Sequence, residues 1–159
     1  MGAGRSEFAA RGGWWVVAQA PVMLGAVLAP LLWGARSFDG TNAIQVAGAT
    51  VTALGVLLGL AGLATLGRAL TPFPRPLARA QLRQSGIYGL VRHPIYGGVV
   101  LASLGWSLTW LSLPGLAFCV VVALFFDRKS AFEERLLLGR FPEYAFYMAR
   151  ARKLIPWIY

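Results

Sequence analysis

Residues 95–126 read IYGGVVLASLGWSLTWLSLPGLAFCVVVALFF, a run of 32 residues without a charged side chain. A helix needs roughly 20 apolar residues to cross the hydrocarbon core of a bilayer, so this run is too long for one crossing. Leu113-Pro114-Gly115 interrupts it with residues that are typical of a turn. The run therefore predicts a hairpin of two short membrane helices, over residues 95–112 and 114–127.

Two further uncharged runs precede this hairpin, one of 21 residues over 14–34 and one of 25 residues over 43–67. The first is longer than the apolar core of a signal peptide, which is usually about 7–15 residues, so we expect a retained membrane helix. The second carries glycines at five positions, Gly48, Gly55, Gly59, Gly62 and Gly67. Small residues let membrane helices approach closely, and a phosphate-binding loop would need a preceding strand. The glycines therefore predict helix packing.

The composition supports a membrane protein and excludes several other classes. Of the 159 residues, 57% are hydrophobic and 13% are charged, and the mean hydropathy is +0.61. Intrinsic disorder needs the opposite balance. The chain has one cysteine, Cys119, and one histidine, so it can build neither a disulfide framework nor a zinc site, and we expect no metal.

The basic residues decide the orientation, because cytoplasmic loops of membrane proteins are enriched in Lys and Arg. Four spans with both termini inside place 14 of the 15 basic residues on the cytosolic side and only Arg36 outside. Their position between apolar runs favours an anionic membrane surface as partner and argues against nucleic acid. Thirteen of them are Arg, which together with the many Ala and Gly residues is typical of a GC-rich bacterial genome. We therefore expect a multi-pass protein of a bacterial inner membrane.

These observations predict an all-α membrane bundle that forms one domain over residues 1–159. Its four spans are followed by an amphipathic cytosolic helix over residues 128–153, and a cytosolic loop over residues 68–94 joins the second span to the third. The oligomeric state is left open.

Polar chemistry is concentrated in two cytosolic stretches, residues 68–96 and 127–156. Pro94 suits the first turn of the third membrane helix, which places Arg92 and His93 beside free backbone N–H groups that attract anions. The alternative is that both side chains only snorkel to the interface. In the second stretch, Glu133 and Glu134 lie near many cations, and the alternative there is a solvated helix face.

Together the two stretches offer anion-binding groups, carboxylates and aromatic rings on one face of the membrane. Such a set would suit a small zwitterionic cation. S-adenosylmethionine fits, since its carboxylate matches Arg92 or His93 and its sulfonium suits aromatic faces. Composition alone does not select this ligand.

The motifs carry a resemblance to a known family. The run from Gly86 to Gly98, GIYGLVRHPIYGG, resembles the G-x-Y-x-x-x-R-H-P-x-Y-x-G signature of the isoprenylcysteine carboxyl methyltransferase family. That family belongs to a wider group with the phospholipid methyltransferases. Glu133-Glu134, followed by Phe141, Tyr144 and Tyr147, is similar to the C-terminal half of the same family.

The resemblance implies a membrane-embedded methyltransferase that takes S-adenosylmethionine from the cytosol and a lipophilic acceptor from the bilayer. It implies a cofactor site formed by Leu82, Tyr88, His93, Pro94, Ile95, Tyr96 and Glu134, and we add Arg92 as a predicted partner of the cofactor carboxylate. Arg128, or else Lys129, would face the substrate carboxylate as the basic residue upstream of the glutamate pair.

The sequence leaves alternatives open both for the methyl acceptor and for the class of protein. A carboxylate acceptor is already ionised and needs no base, whereas an amine or thiol would need one, with His93, Glu133 or Asp127 as candidates. We count Arg128 and Glu133 as the candidate catalytic residues. There are two competing interpretations. One is a membrane reductase whose C-terminal half is similar to that of this chain and binds NADPH. The other is a membrane protein without catalytic activity.

Overall fold

The computed structural model describes residues 8–9, 12–67, 73 and 82–159. It contains helices α1 (Gly13–Trp33), α2 (Ala43–Leu66), α3 (Pro94–Thr109), α4 (Leu113–Leu138) and α5 (Tyr144–Arg150), with a 3₁₀ helix at Gly86–Gly89. β-pairing within the described residues is a single parallel bridge between Val91 and Arg152. The prediction of an all-α fold is confirmed.

Helices α1 and α2 lie within one residue of the predicted runs, and both are long and apolar enough to cross a membrane. Of the predicted loop over residues 68–94, the structure describes residue 73 and residues 82–94. Five of the basic residues used for the orientation lie outside the described residues: Arg5, Arg11, Arg68, Arg75 and Arg79.

Helices α2 and α3 pack backbone to backbone through glycines spaced seven residues apart. A methyl group built on Gly55 would collide with the backbone of Ala102, and one on Gly48 with the backbone nitrogen of Thr109. From the other side, a methyl group on Gly98 would lie 2.6 Å from the carbonyl oxygen of Gly55. A seven-residue spacing returns to nearly the same helix face after two turns, so these glycines form one seam. Small residues at the interface allow this close approach.

Gly55 and Gly59 form a GxxxG pair in the sequence, but only at Gly55 would a side chain collide with α3. Gly55 lies in the seam, but a methyl group on Gly59 would meet nothing within 4 Å. Gly67 ends α2 with a positive φ of 51°, which glycine adopts more readily than other residues. The prediction of helix packing therefore holds for Gly48, Gly55 and Gly62, with the seven-residue seam as its basis.

The hairpin between α3 and α4 turns slightly earlier than predicted. Its turn lies at residues 110–112, with Leu111 at a φ of 49°, and Leu113 and Pro114 already belong to α4. The hydroxyl of Ser112 accepts a hydrogen bond from the backbone N–H of Gly115 at 3.1 Å and caps the helix. Proline suits the first helical turn because its missing N–H has no partner there in any case.

The predicted boundary after residue 127 is wrong. Helix α4 continues without a break to Leu138, and a separate seven-residue helix, α5, replaces the rest of the amphipathic helix predicted over residues 128–153. The change from apolar to charged residues at Asp127 marks a change of environment and contains no helix breaker. The helix ends at Gly139, followed by Pro142.

The segment after α5 returns to the start of α3. The backbone N–H of Arg92 donates to the carbonyl of Arg152 at 2.8 Å, and the N–H of His93 donates to that of Lys153 at 3.0 Å. Gly97 contacts the carbonyl of Leu154 so closely that a side chain there would displace it. This contact brings the C-terminal segment against the first turn of α3.

We expect Gly55→Ala to destabilise the protein by about 1–3 kcal/mol, because the methyl group would force α2 and α3 apart. Gly59→Ala is the matched control: its methyl group enters open space, and Ala favours a helix over Gly, so its stability should equal or slightly exceed wild type. Unfolding in detergent, followed by Trp fluorescence, measures both. If both variants lost the same stability, the result would contradict the close packing of α2 and α3 at Gly55.

Candidate active site

The R-H-P segment forms the entry to α3. His93 precedes the helix with φ −127° and ψ 62°, and Pro94 occupies its first turn, as the sequence predicted. The backbone N–H groups of Arg92 and His93 are taken by carbonyls of the C-terminal segment. These bonds belong to the two residues before the helix, and the N–H groups of its first turn, for which the sequence predicts an anion, take no part in them.

The carboxylate of Glu134 lies at the centre of the site. Its Oε1 accepts a hydrogen bond from Nε of Arg92 at 2.7 Å and lies 3.1 Å from Nε2 of His93. The side chains of Glu134 and Arg92 are only 8% and 9% exposed. The motif at the start of α3 and the glutamate pair of α4 therefore converge in one buried cluster.

Arg92 also holds the C-terminal part of the chain. Its Nη1 donates to the carbonyl of Met148 at 3.0 Å and to the carbonyl of Ala151. Because the same guanidinium also binds Glu134, Arg92 links α4 to the end of α5. Arg92 therefore holds α4 and the end of α5 in place, and its contact with the cofactor stays a prediction.

His93, Tyr96 and Glu133 form the second half of the cluster. The imidazole of His93 stacks on the ring of Tyr96, with centroids 5.5 Å apart and planes 4° from parallel. The Tyr96 hydroxyl donates to Oε2 of Glu133 at 3.0 Å, and Nδ1 of His93 lies 3.8 Å from the same oxygen. The Glu133 side chain is 26% exposed, so a ligand can reach it.

The two adjacent glutamates have opposite pKa shifts. Burial raises the pKa of Glu133 above its usual value, and its interactions with His93, Tyr96 and Lys129 only partly offset this effect. Burial acts on Glu134 too, but hydrogen bonds from His93 and Arg92 and the charges of both outweigh it, so the pKa of Glu134 is lowered. Glu134 is thus the anionic anchor, while Glu133 is suited to take up a proton.

The buried cation beside this cluster is Lys129. Its ammonium lies 5.2 Å from the centroid of the Tyr96 ring and donates to Oε1 of Gln19 in α1 at 2.5 Å. Lys129 is 2% exposed, whereas Arg128 is exposed on the surface of α4. Of the two basic residues that the resemblance left open, only Lys129 lies in the cluster.

Leu82 and Tyr88 border the site from the segment before α3. The carbonyl of Tyr88 accepts a hydrogen bond from the Tyr147 hydroxyl at 2.5 Å, and Leu82 packs against the buried cluster of Tyr144, Tyr147 and Ala151. Burial, followed by the nearby charge of Glu133, raises the pKa of Tyr88 to about 12. The aromatic residues of both cytosolic stretches thus form one wall.

Pro94 and Ile95 face α2. A methyl group built on Gly62 would lie 2.9 Å from side-chain atoms of each. These two residues fix the first turn of α3 in place.

Asp127 lies outside the cluster and is already engaged. It forms an ion pair with Lys153 and accepts a hydrogen bond from the Tyr159 hydroxyl at 2.8 Å. Asp127 is therefore poorly placed as the base that the sequence left open.

Two features of the site were missed from the sequence. One is Gln19, whose signal was available, since it is the one amide, hydroxyl or charged side chain in α1. The other is the C-terminal segment, whose contribution through backbone carbonyls leaves no trace in side-chain patterns. Within the described residues, no cluster of three or more potential metal ligands is found.

Comparison with known proteins gives related sequences for most of the chain. The model of the family described as phospholipid methyltransferase matches residues 43–143. Protein-S-isoprenylcysteine O-methyltransferase B of Arabidopsis thaliana is 31% identical over 117 residues, which cover 70% of this chain and 58% of the relative. The cobalt-zinc-cadmium resistance protein CzcN of Cupriavidus metallidurans is 34% identical over 139 residues, covering 85% of this chain and 61% of the relative.

A third relative, methanethiol S-methyltransferase 1 of Bradyrhizobium diazoefficiens, is 38% identical over 72 residues, which cover 45% of this chain and 25% of the relative. The chain thus spans less than two thirds of each of these relatives.

The fold has a solved counterpart. The structure of a eukaryotic intramembrane Ras methyltransferase, an isoprenylcysteine carboxyl methyltransferase, superimposes with a TM-score of 0.69 at 21% identity. The match covers 92% of this chain and 53% of that one, and at this identity it shows the shared fold. The resemblance predicted from the motifs is confirmed by the family model, which matches more than half of the chain: the protein belongs to the phospholipid methyltransferase family.

Proposed function

We propose that the protein is an S-adenosylmethionine-dependent methyltransferase embedded in the membrane, which methylates a lipophilic acceptor. The observation that carries the proposal is the convergence of His93 and Tyr96 with Glu133 and Glu134 in one cluster. His93 and Glu134 are 41 residues apart in sequence, yet their side chains are within hydrogen-bond distance. A solvated glutamate and an interfacial histidine would not require this contact.

The residues fit the proposed cofactor in charge and shape. When bound, S-adenosylmethionine supplies an electrophilic methyl group on a sulfonium. The aromatic residues that border the cluster are of the kind that attracts such a cation, and the partly exposed Glu133 offers a carboxylate. Residues carried over from the resemblance complete the site: Leu82, Tyr88, His93, Pro94, Ile95, Tyr96 and Glu134. Arg92 acts through Glu134 and holds that carboxylate in place.

The acceptor that we propose first is a carboxylate, as in isoprenylcysteine-type O-methylation. Methyl transfer to an ionised carboxylate needs mainly proximity and orientation. Lys129 is the cation placed to hold it, beside Tyr96, while Arg128 is exposed.

A thiol is the second candidate acceptor, and the similarity to methanethiol S-methyltransferase 1 favours it. A thiol must lose a proton. Glu133 can accept it because its pKa is raised, and His93 lies beside it. The site thus has a base for this chemistry without recourse to Asp127.

We also propose that four helices span a bacterial inner membrane with both termini and the site on the cytosolic side. Large apolar side chains are exposed along the helices, as lipid-facing surfaces require; examples are Leu24, Leu57 and Leu124. Helix α3 has 16 residues, a rise of about 24 Å, so it would need a locally thin bilayer. The distribution of basic residues supports the orientation.

Calorimetry of the detergent-solubilised protein with S-adenosylmethionine tests the proposal. We expect binding to wild type, and a loss of about 1–3 kcal/mol in His93→Ala, which is about 5- to 150-fold in Kd. Arg135→Ala, at an exposed position on α4, is the control and should bind as wild type does. A wild-type protein that binds NADPH and not S-adenosylmethionine would support the reductase alternative, and one that binds neither would support a non-catalytic protein.

Cysteine labelling tests the orientation. Cys119 is the chain's one cysteine and is buried, so it can be replaced by Ala to give a cysteine-free background. We expect a membrane-impermeant maleimide added outside the cell to label cysteine at Gly40 or Leu113 and not at Arg150, all of which are exposed. Labelling of the Arg150 position from outside would overturn the four-span orientation.

A further inference from the structure

Helix α1 precedes the region matched by the family model, which begins at residue 43, yet it contributes a side chain to the site. The face of α1 turned toward α4 carries Trp15, Gln19 and Val22, spaced by about one helical turn. Trp15 packs on Phe125 at 5.5 Å, and Val22 packs on the core around Phe126. Gln19 is the polar member of an otherwise apolar contact.

Gln19 meets a cation that has few other partners. In the described part of the chain, Lys129 Nζ makes one hydrogen bond, to Gln19, and forms no ion pair within 4 Å. An ammonium has three donors, and a buried charge is costly unless it is paired. Glu133, one turn further along α4, accepts the Tyr96 hydroxyl instead. The Lys129 ammonium is therefore held in place without a direct ion pair, and the charge of Glu133 acts on it from a longer distance.

The amide of Gln19 can hold the Lys129 ammonium without forming an ion pair with it. A carboxylate there would pair with the ammonium and cancel its charge, and an apolar side chain would leave a flexible four-carbon stem without a fixed end. An amide oxygen accepts one hydrogen bond and leaves the positive charge intact.

We infer that Gln19 is a positioning residue that holds the Lys129 ammonium at the Tyr96 ring without neutralising it, so that the ammonium binds an anionic group of the methyl acceptor. The inference rests on the proposed function and deepens it. It makes α1 a determinant of acceptor class: the site selects lipophilic anions over neutral lipids of the same length.

The test uses the full chain in detergent, labelled with ¹³C-lysine. Lys129 and Lys153 are the only lysines, so two sets of signals arise, and Lys153, which is paired with Asp127, is an internal reference. The protein is titrated with dodecanoate and, separately, with the neutral dodecanol, in the absence of S-adenosylmethionine. In wild type, dodecanoate should shift the Lys129 signal at concentrations about tenfold lower than dodecanol, and the Lys153 signal should stay in place.

Gln19→Leu should raise the dodecanoate midpoint at Lys129 about fivefold or more, and Gln19→Glu should abolish the preference for dodecanoate over dodecanol. Val22→Ala is the matched control, since it loosens the same α1–α4 contact without touching Lys129, and it should titrate as wild type does. Should Gln19→Glu fail to fold, Gln19→Leu decides alone.

Three results would overturn the inference: no shift of Lys129 by dodecanoate in wild type, a wild-type titration in Gln19→Leu, or the same weakening in Val22→Ala as in Gln19→Leu. Because the titration contains no S-adenosylmethionine, its outcome is separate from that of the calorimetry. A protein that binds dodecanoate as expected but no S-adenosylmethionine would contradict the proposed function alone.

Discussion

The buried carboxylate of Glu134, shared between Arg92 and His93, is the interaction on which the rest of the site depends. It joins the start of α3 to α4, and Nη1 of the same Arg92 binds the carbonyls at the end of α5. Removal of one partner from a buried ion pair is strongly destabilising, because it leaves an uncompensated charge. The geometry of His93, Tyr96 and Glu133 therefore follows from that of Glu134.

This arrangement divides two adjacent carboxylates into different roles. The lowered pKa of Glu134 means that its contribution to stability is present above its usual value of 4.5 and is lost as the pH falls through the folded-state pKa. The raised pKa of Glu133 has the opposite sign, so its contribution is present at low pH and is lost as the pH rises through its folded-state pKa. At neutral pH the ionised Glu134 therefore contributes to stability, while Glu133 is the glutamate suited to accept a proton.

The sequence predicted the helical fold, the limits of α1 and α2, and the R-H-P entry to α3, because apolar length and proline act locally. It did not predict that α4 continues past Asp127, since a change in polarity does not end a helix. It could not choose between Arg128 and Lys129, because adjacent residues differ by about 100° around the helix and only the packing of α1 against α4 decides which one is buried. The role of Arg92 depends on carbonyls that carry no sequence signal.

A double-mutant cycle between Arg92→Met and Glu134→Gln measures this central interaction most directly. The unfolding free energies of wild type, both single variants and the double variant, taken at pH 7 in detergent, isolate the Arg92–Glu134 contact from the bonds of Arg92 to the carbonyls of Met148 and Ala151. We expect a coupling energy of about 1.5–3 kcal/mol, with S-adenosylmethionine affinity reduced in each single variant. Additive losses, with a coupling below about 0.5 kcal/mol, would contradict the account.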